Sequence, residues 1–216
     1  MDRGPVTGYS QGEEIANAVT HGIGCILSII GLVLLIIFSS RNGDALLIVS
    51  STIYGSGLVL LYAFSTIYHS IPQEKARKVL KVLDHSAIFY LIAATYTPFT
   101  LVVLGGALGW VIFGIVWGGF VLGTLFKVFL AGRFKWLSIS IYIALGWCVV
   151  LGIRPLIRSL AYEGFLLLLA GGIVYSIGAL IYARKGIRYS HPVWHLFVMM
   201  GSFLHFLSVF FYVVQG

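Results

Sequence analysis

The segment SHPVWH sets His191 and His195 four residues apart, which places them on one face of a helix about one turn from each other. That spacing is a common way for one helix to offer two imidazoles to a metal ion. Ser65 and His69 repeat it in STIYH, and LDHS follows with Asp84 and His85. A third polar face comes from EEIANAVTH, where Glu14, Asn17, Thr20 and His21 recur at helical intervals. Three imidazoles, His69, His191 and His195, with no cysteine beside them suit zinc. Three protein ligands with an open fourth position are the catalytic rather than the structural arrangement. Zinc lowers the pKa of a bound water to about 7. Asp84 could orient that water or accept its proton, and Ser65 could hydrogen-bond an oxyanion or a group behind it.

Simpler readings compete with each residue alone. A His-x-x-x-His pair is a weak signal, and one histidine at a helix end is readily an interfacial residue. Asp84 near a helix start could act as a cap. His85 points about 100° away from Asp84 on a helix and reads as packing or interface. His205 returns to nearly the face of His191 but lies roughly 20 Å deeper, too far to share a metal. The joint pattern carries the metal reading, because ionisable groups in apolar helices are costly and mark functional sites.

The elements that position these groups are membrane helices. Of 216 residues, 59% are hydrophobic and 10% charged, against about a quarter charged in soluble domains. Uncharged runs near or above the ~18–20 residues of a crossing helix recur along the chain. The longest, Ser86 to Phe126, is interrupted by GGALGW and divides into two. The expectation is an all-α integral membrane protein, one domain over residues 1–216, a bundle of seven transmembrane helices at 16–39, 45–69, 82–103, 109–130, 136–153, 163–184 and 192–214. Runs such as ILSIIGLVLLIIF lack the dyad alternation of a barrel. No cleavable signal peptide and no internal repeat is expected. Cys25 and Cys148 read as small apolar fillers within helices.

The net charge of +7 is spread asymmetrically. With seven spans, eleven of the 14 Lys and Arg fall on the side of the N-terminus: Arg3, Lys75, Arg77, Lys78, Lys81, Lys127, Arg133, Lys135, Arg184, Lys185 and Arg188. That bias places the N-terminus in the cytoplasm and the C-terminus outside. It points to anionic headgroups and excludes a nucleic-acid partner. Five of the six histidines then share one membrane depth, at the cytoplasmic ends of four helices. A site buried there implies a lipid substrate that enters from the bilayer.

EEIANAVTH, the S-x-x-x-H block (Ser65 to His69) followed by LDHSAI, and SHPVWHLFVMMGSFLH match three ordered blocks of the hemolysin III family, which the chain resembles from Glu13 to His205. That family belongs with the progestin and adipoQ receptors, which include the adiponectin receptors. The resemblance implies a seven-helix, N-in bundle with zinc held by His69, His191 and His195, and it matches Asp84 to an aspartate that contacts the zinc-bound water. A wider likeness to alkaline ceramidases implies hydrolysis of a lipid amide. Without the long N-terminal region of the animal receptors, a hormone-receptor role is not expected. The expectation is thus a multi-pass protein of the inner (plasma) membrane that holds Zn2+ and acts on membrane lipids, as an amide hydrolase or a regulator of lipid state. The alternatives are a pore-forming cytolysin with a structural zinc and a lipid sensor without turnover.

Overall fold

The computed structural model describes residues 9–41, 43–130, 135–184 and 188–216; Arg3, Arg133 and Lys185 of the charge bias lie outside the described residues. Every regular element among them is helical. The elements are α1 (Gln11–Arg41), α2 (Ala45–Ser70), α3 (Glu74–Pro98), α4 (Gly106–Leu130), α5 (Lys135–Gly146), α6 (Ile153–Ser159), α7 (Tyr162–Ala183) and α8 (Ser190–Val209). A π-helical stretch extends α3 over Phe99–Leu104, another extends α8 over Phe210–Val214, and a 3-10 stretch joins α5 to α6. Together they make seven helical spans long and apolar enough to cross a membrane. Each of α1 to α4 packs on the next, α7 packs on α8, and α8 returns to α1, so the chain closes a ring around a central cavity.

The bundle is apolar outside and partly polar within, as a lipid solvent requires. On α1 the outward positions are Ile26, Leu27, Ile30 and Val33, all about half exposed. The buried stripe is Asn17, His21, Gly24, Ser28, Gly31, Leu35 and Ser39. Small and polar residues on the inward face let helices approach closely and pair across the interface. At Gly24 an added Cβ would meet the Tyr62 ring at 2.8 Å.

Three boundaries differ from the sequence expectation, and each has a physical cause. Helix α1 starts at Gln11, not 16, behind a reciprocal cap. The Ser10 N–H donates to Glu13 Oε2 at 2.8 Å, and the Glu13 N–H donates to Ser10 Oγ at 3.3 Å. Helix α3 starts at Glu74, not 82. The basic stretch after Gln73 is its first two turns, built from good helix formers and braced by a Glu74–Lys78 pair. Asp84 therefore lies in the third turn of α3, where it cannot cap the helix, and that alternative falls.

The expected single helix over 136–153 is broken after Gly146 and resumes at Ile153. Pro155 cannot donate to the carbonyl four residues back and clashes with it, so a regular helix cannot run through Leu151. The break is held from α3. Tyr96 Oη donates to the Gly146 carbonyl at 2.7 Å and accepts from the Val149 N–H at 2.7 Å. Irregular backbone at this depth survives only where its polar groups are satisfied. A Tyr96→Phe protein orphans both groups, at about 1–3 kcal/mol each. Its thermal unfolding midpoint in detergent is expected to fall by several degrees, with helical content unchanged by circular dichroism. The division of the long third run is as expected: Gly105, which ends the first helix, and Gly106, which opens α4, take positive φ of 57° and 54°.

Candidate metal centre

His69 sits in the last turn of α2, while His191 and His195 occupy the first two turns of α8. All three are buried. One ligand atom from each lies within 4.8 Å of the other two. His69 Nε2 and His191 Nε2 face each other at 3.1 Å. The three rings thus converge although His69 and His191 are 122 residues apart.

The neighbours decide which nitrogens remain free for a metal. His69 Nδ1 lies 2.6 Å from Glu14 Oε2, short enough for a charge-assisted bond in which the ring N–H donates. Its Nε2 is then the bare nitrogen. Asn17 Nδ2 is also near that Nδ1, at 3.4 Å, but a nitrogen already donating to Glu14 has no lone pair left for it. Asn17 is a polar neighbour here, not the orienting partner. His195 Nδ1 lies 3.2 Å from Thr20 Oγ1, whose own proton goes to the Ala16 carbonyl at 2.7 Å. The hydroxyl must therefore accept, which sets His195 as the Nδ1–H tautomer and again leaves Nε2 bare. Imidazoles whose far nitrogen is pinned by a carboxylate or hydroxyl are oriented as metal ligands are. The donor set fits a metal ion that favours nitrogen.

Glu14 also accepts from Arg77 of α3 at 3.2 Å, so one carboxylate ties α1, α2 and α3 together behind His69. Replacing it by the isosteric amide removes the charge but keeps the shape. A Glu14→Gln protein is expected to bind metal about 10–100-fold more weakly, measured by competition with a chelator of known affinity.

The rest of the polar cluster surrounds the imidazoles. His21 stacks on His195 with ring centroids 3.4 Å apart and planes 10° from parallel. It is buried, its nitrogens make no hydrogen bond among the described residues, and it stands outside the group of converging ligand atoms. Ser65 and Asp84 are buried in the wall of the same cavity. Ser65 Oγ stands beside the Asp84 carboxylate yet completes no hydrogen bond among the described residues. His205 keeps away from the three rings, as its depth implies, and meets the Leu168 carbonyl at 3.0 Å.

Sequence reasoning read His85 as packing or interface, whereas it lines the cavity, and it missed Tyr9 and Lys127. Tyr9 precedes α1 and lays its ring on His191, with centroids 5.1 Å apart. Burial, and then Tyr182, raise its phenol far above the ordinary range, so it stays neutral over the imidazoles. Lys127 reads in sequence as one more topological charge of a loop, but it is buried on α4 in the cavity wall. Its one visible signal is position: Phe126, Val128 and Phe129 flank it within an otherwise uncharged helix.

Comparison with known proteins covers the whole of this site. A family model described as Haemolysin-III related matches residues 9–206. The chain is 50% identical over 202 residues to a Bacillus cereus protein named Hemolysin-3, spanning 94% of this chain and 92% of that one. It is 49% identical over 203 residues to a Hemolysin-3 homolog of Bacillus subtilis (strain 168), spanning 94% and 95%. A human protein named Monocyte to macrophage differentiation factor is 26% identical over 214 residues, spanning 94% and 86%.

Proposed function

The chain belongs to the haemolysin-III-related family, and from that premise we propose that it is a multi-pass membrane protein that holds zinc and hydrolyses an amide bond of a membrane lipid. One observation carries this reading. Two of the three converging imidazoles, His191 and His195, line a cavity of about 330 Å³ inside the ring of spans. Its lining runs from His191, Asp84 and Ser65 to apolar and aromatic groups at Ile88, Leu91, Tyr96 and Trp147. A polar end beside a long apolar interior suits a lipid, with the reacting group at the imidazoles and the acyl chain beyond.

In this reading His69, His191 and His195 would hold the metal beside the polar end of the cavity. Zinc in such a donor set supplies Lewis acidity and an activated water. Glu14 and Thr20 keep two of the rings in the required tautomer. Asp84 takes the proton from the attacking water and returns it to the leaving amine. Ser65 donates a hydrogen bond to the carbonyl oxygen as charge builds there. The N-terminal end faces the cytoplasm of a cell with this protein in its plasma membrane, as the charge bias supports.

The test is metal content and fatty-acid release by the detergent-purified protein, offered ceramide and phospholipid. Stoichiometric zinc with release that stops on chelation and returns with added zinc is the expected result. Zinc-loaded protein that releases nothing from either lipid would overturn the hydrolase and leave a lipid sensor. The name of the Bacillus cereus relative favours a second reading, a cytolysin. Planar-bilayer conductance that survives zinc removal would select it.

A further inference from the structure

Lys127 is 6% exposed and points into the cavity from α4. Its Nζ donates to Ser138 Oγ at 2.6 Å and lies 5.3 Å from the centroid of the Tyr142 ring. An ammonium has three N–H donors, and among the described residues this one spends a single donor, on Ser138. No carboxylate comes within ion-pair distance of it among the described residues. Asp84 acts on it only from farther across the cavity. Meanwhile Lys81 of α3 lines the same cavity and repels it. His85 lines the same cavity as both lysines, and its buried Nδ1 has no hydrogen-bond partner among the described residues. A wall that gathers two like charges and an unpartnered ring nitrogen, and pairs none of them with a carboxylate, is costly unless an anion is brought to it.

We propose that Lys127, with Lys81 and His85 beside it, forms an anion subsite that holds the negatively charged head of an acyl lipid, a carboxylate or a phosphate monoester, in the cavity beside the imidazole cluster. The subsite rests on the reading of this cavity as a lipid site but not on turnover. Charge-assisted hydrogen bonds from Nζ give the head its affinity, and the apolar interior accepts the chain. Ser138 and Tyr142 hold the lysine in place, since Tyr142 Oη is itself anchored to the His85 carbonyl at 2.9 Å. Lys127 thereby selects anionic over neutral lipids of equal chain length.

Binding to the detergent-purified full chain tests this, read as ligand-dependent thermal shift with palmitate, 1-palmitoyl lysophosphatidate and uncharged monopalmitoylglycerol. The wild type is expected to bind at least one anionic lipid about tenfold more tightly than the neutral one. Lys127→Met should abolish that preference with zinc content unchanged, Lys127→Arg should keep it, and Lys81→Met should weaken it in part. A preference for palmitate alone identifies a carboxylate head, and one for lysophosphatidate alone a phosphate. A wild type that binds all three equally would sink the subsite, as would a preference that Lys127→Met leaves intact. If the Met variant does not fold, an undiminished preference in Lys81→Met decides against it. Failure of the hydrolase reading shows separately, as anion preference without fatty-acid release.

Discussion

His191→Ala is expected to empty the metal site: zinc measured in the purified protein should fall from stoichiometric to near background. Losing a group behind a ligand typically costs 10–100-fold in metal affinity, and losing a ligand itself should exceed about 100-fold. The geometry explains why no neighbour can substitute. His69 Nε2 looks directly at His191 Nε2 across 3.1 Å, and His21 lies flat against His195 with its ring parallel rather than aimed between the ligands. Metal that binds only the folded state also contributes to stability. The wild type treated with chelator should therefore melt near the His191→Ala protein, and added zinc should raise the first but not the second. His205→Ala is the control. It sits on the same helix, bonded to the Leu168 carbonyl, and its removal should leave zinc content as in the wild type. Full zinc in His191→Ala would remove the three-histidine site altogether.

The second large effect is on chemistry rather than metal. Asp84→Asn keeps the volume and shape of a buried side chain but cannot accept a proton. If Asp84 acts as general base, release of fatty acid should fall by about 10²–10⁴-fold while zinc stays bound. The separation matters, because a carboxylate that merely ligated the metal would lose both together. Ser65→Ala should do less, since one hydroxyl near the carbonyl oxygen contributes less than the proton acceptor. Asp84→Asn with wild-type turnover would assign the proton transfers elsewhere in the cavity wall.

Much of this arrangement is legible in the sequence. The length of each apolar run is dictated by bilayer thickness, so seven spans follow from composition alone. The i, i+4 spacing of His191 and His195 needs only helical geometry to place both on one face. The alternation of seven spans then brings His69 and Asp84 to the same end of the bundle as that pair. The same reasoning erred where a helix outran its apolar run. The charged turns from Glu74 to Lys81 are excellent helix, so a hydrophobic boundary misplaced the start of α3 and made Asp84 look terminal. It erred again at Lys127, because a charge near the end of a span reads as topology whether it faces water or a cavity.

What the sequence by itself determined is the set of spans, the depth of the polar groups along them and the face each occupies, because these follow from short-range periods and the thickness of the bilayer. Only the tertiary structure decided which faces meet. Glu14 reaches His69 across 55 positions, Thr20 orients His195 across 175, and Tyr96 bridges the break between α5 and α6 some 50 residues on. Such pairings depend on how seven rods rotate and close into a ring, and that is settled by packing summed over every interface, which no local pattern records.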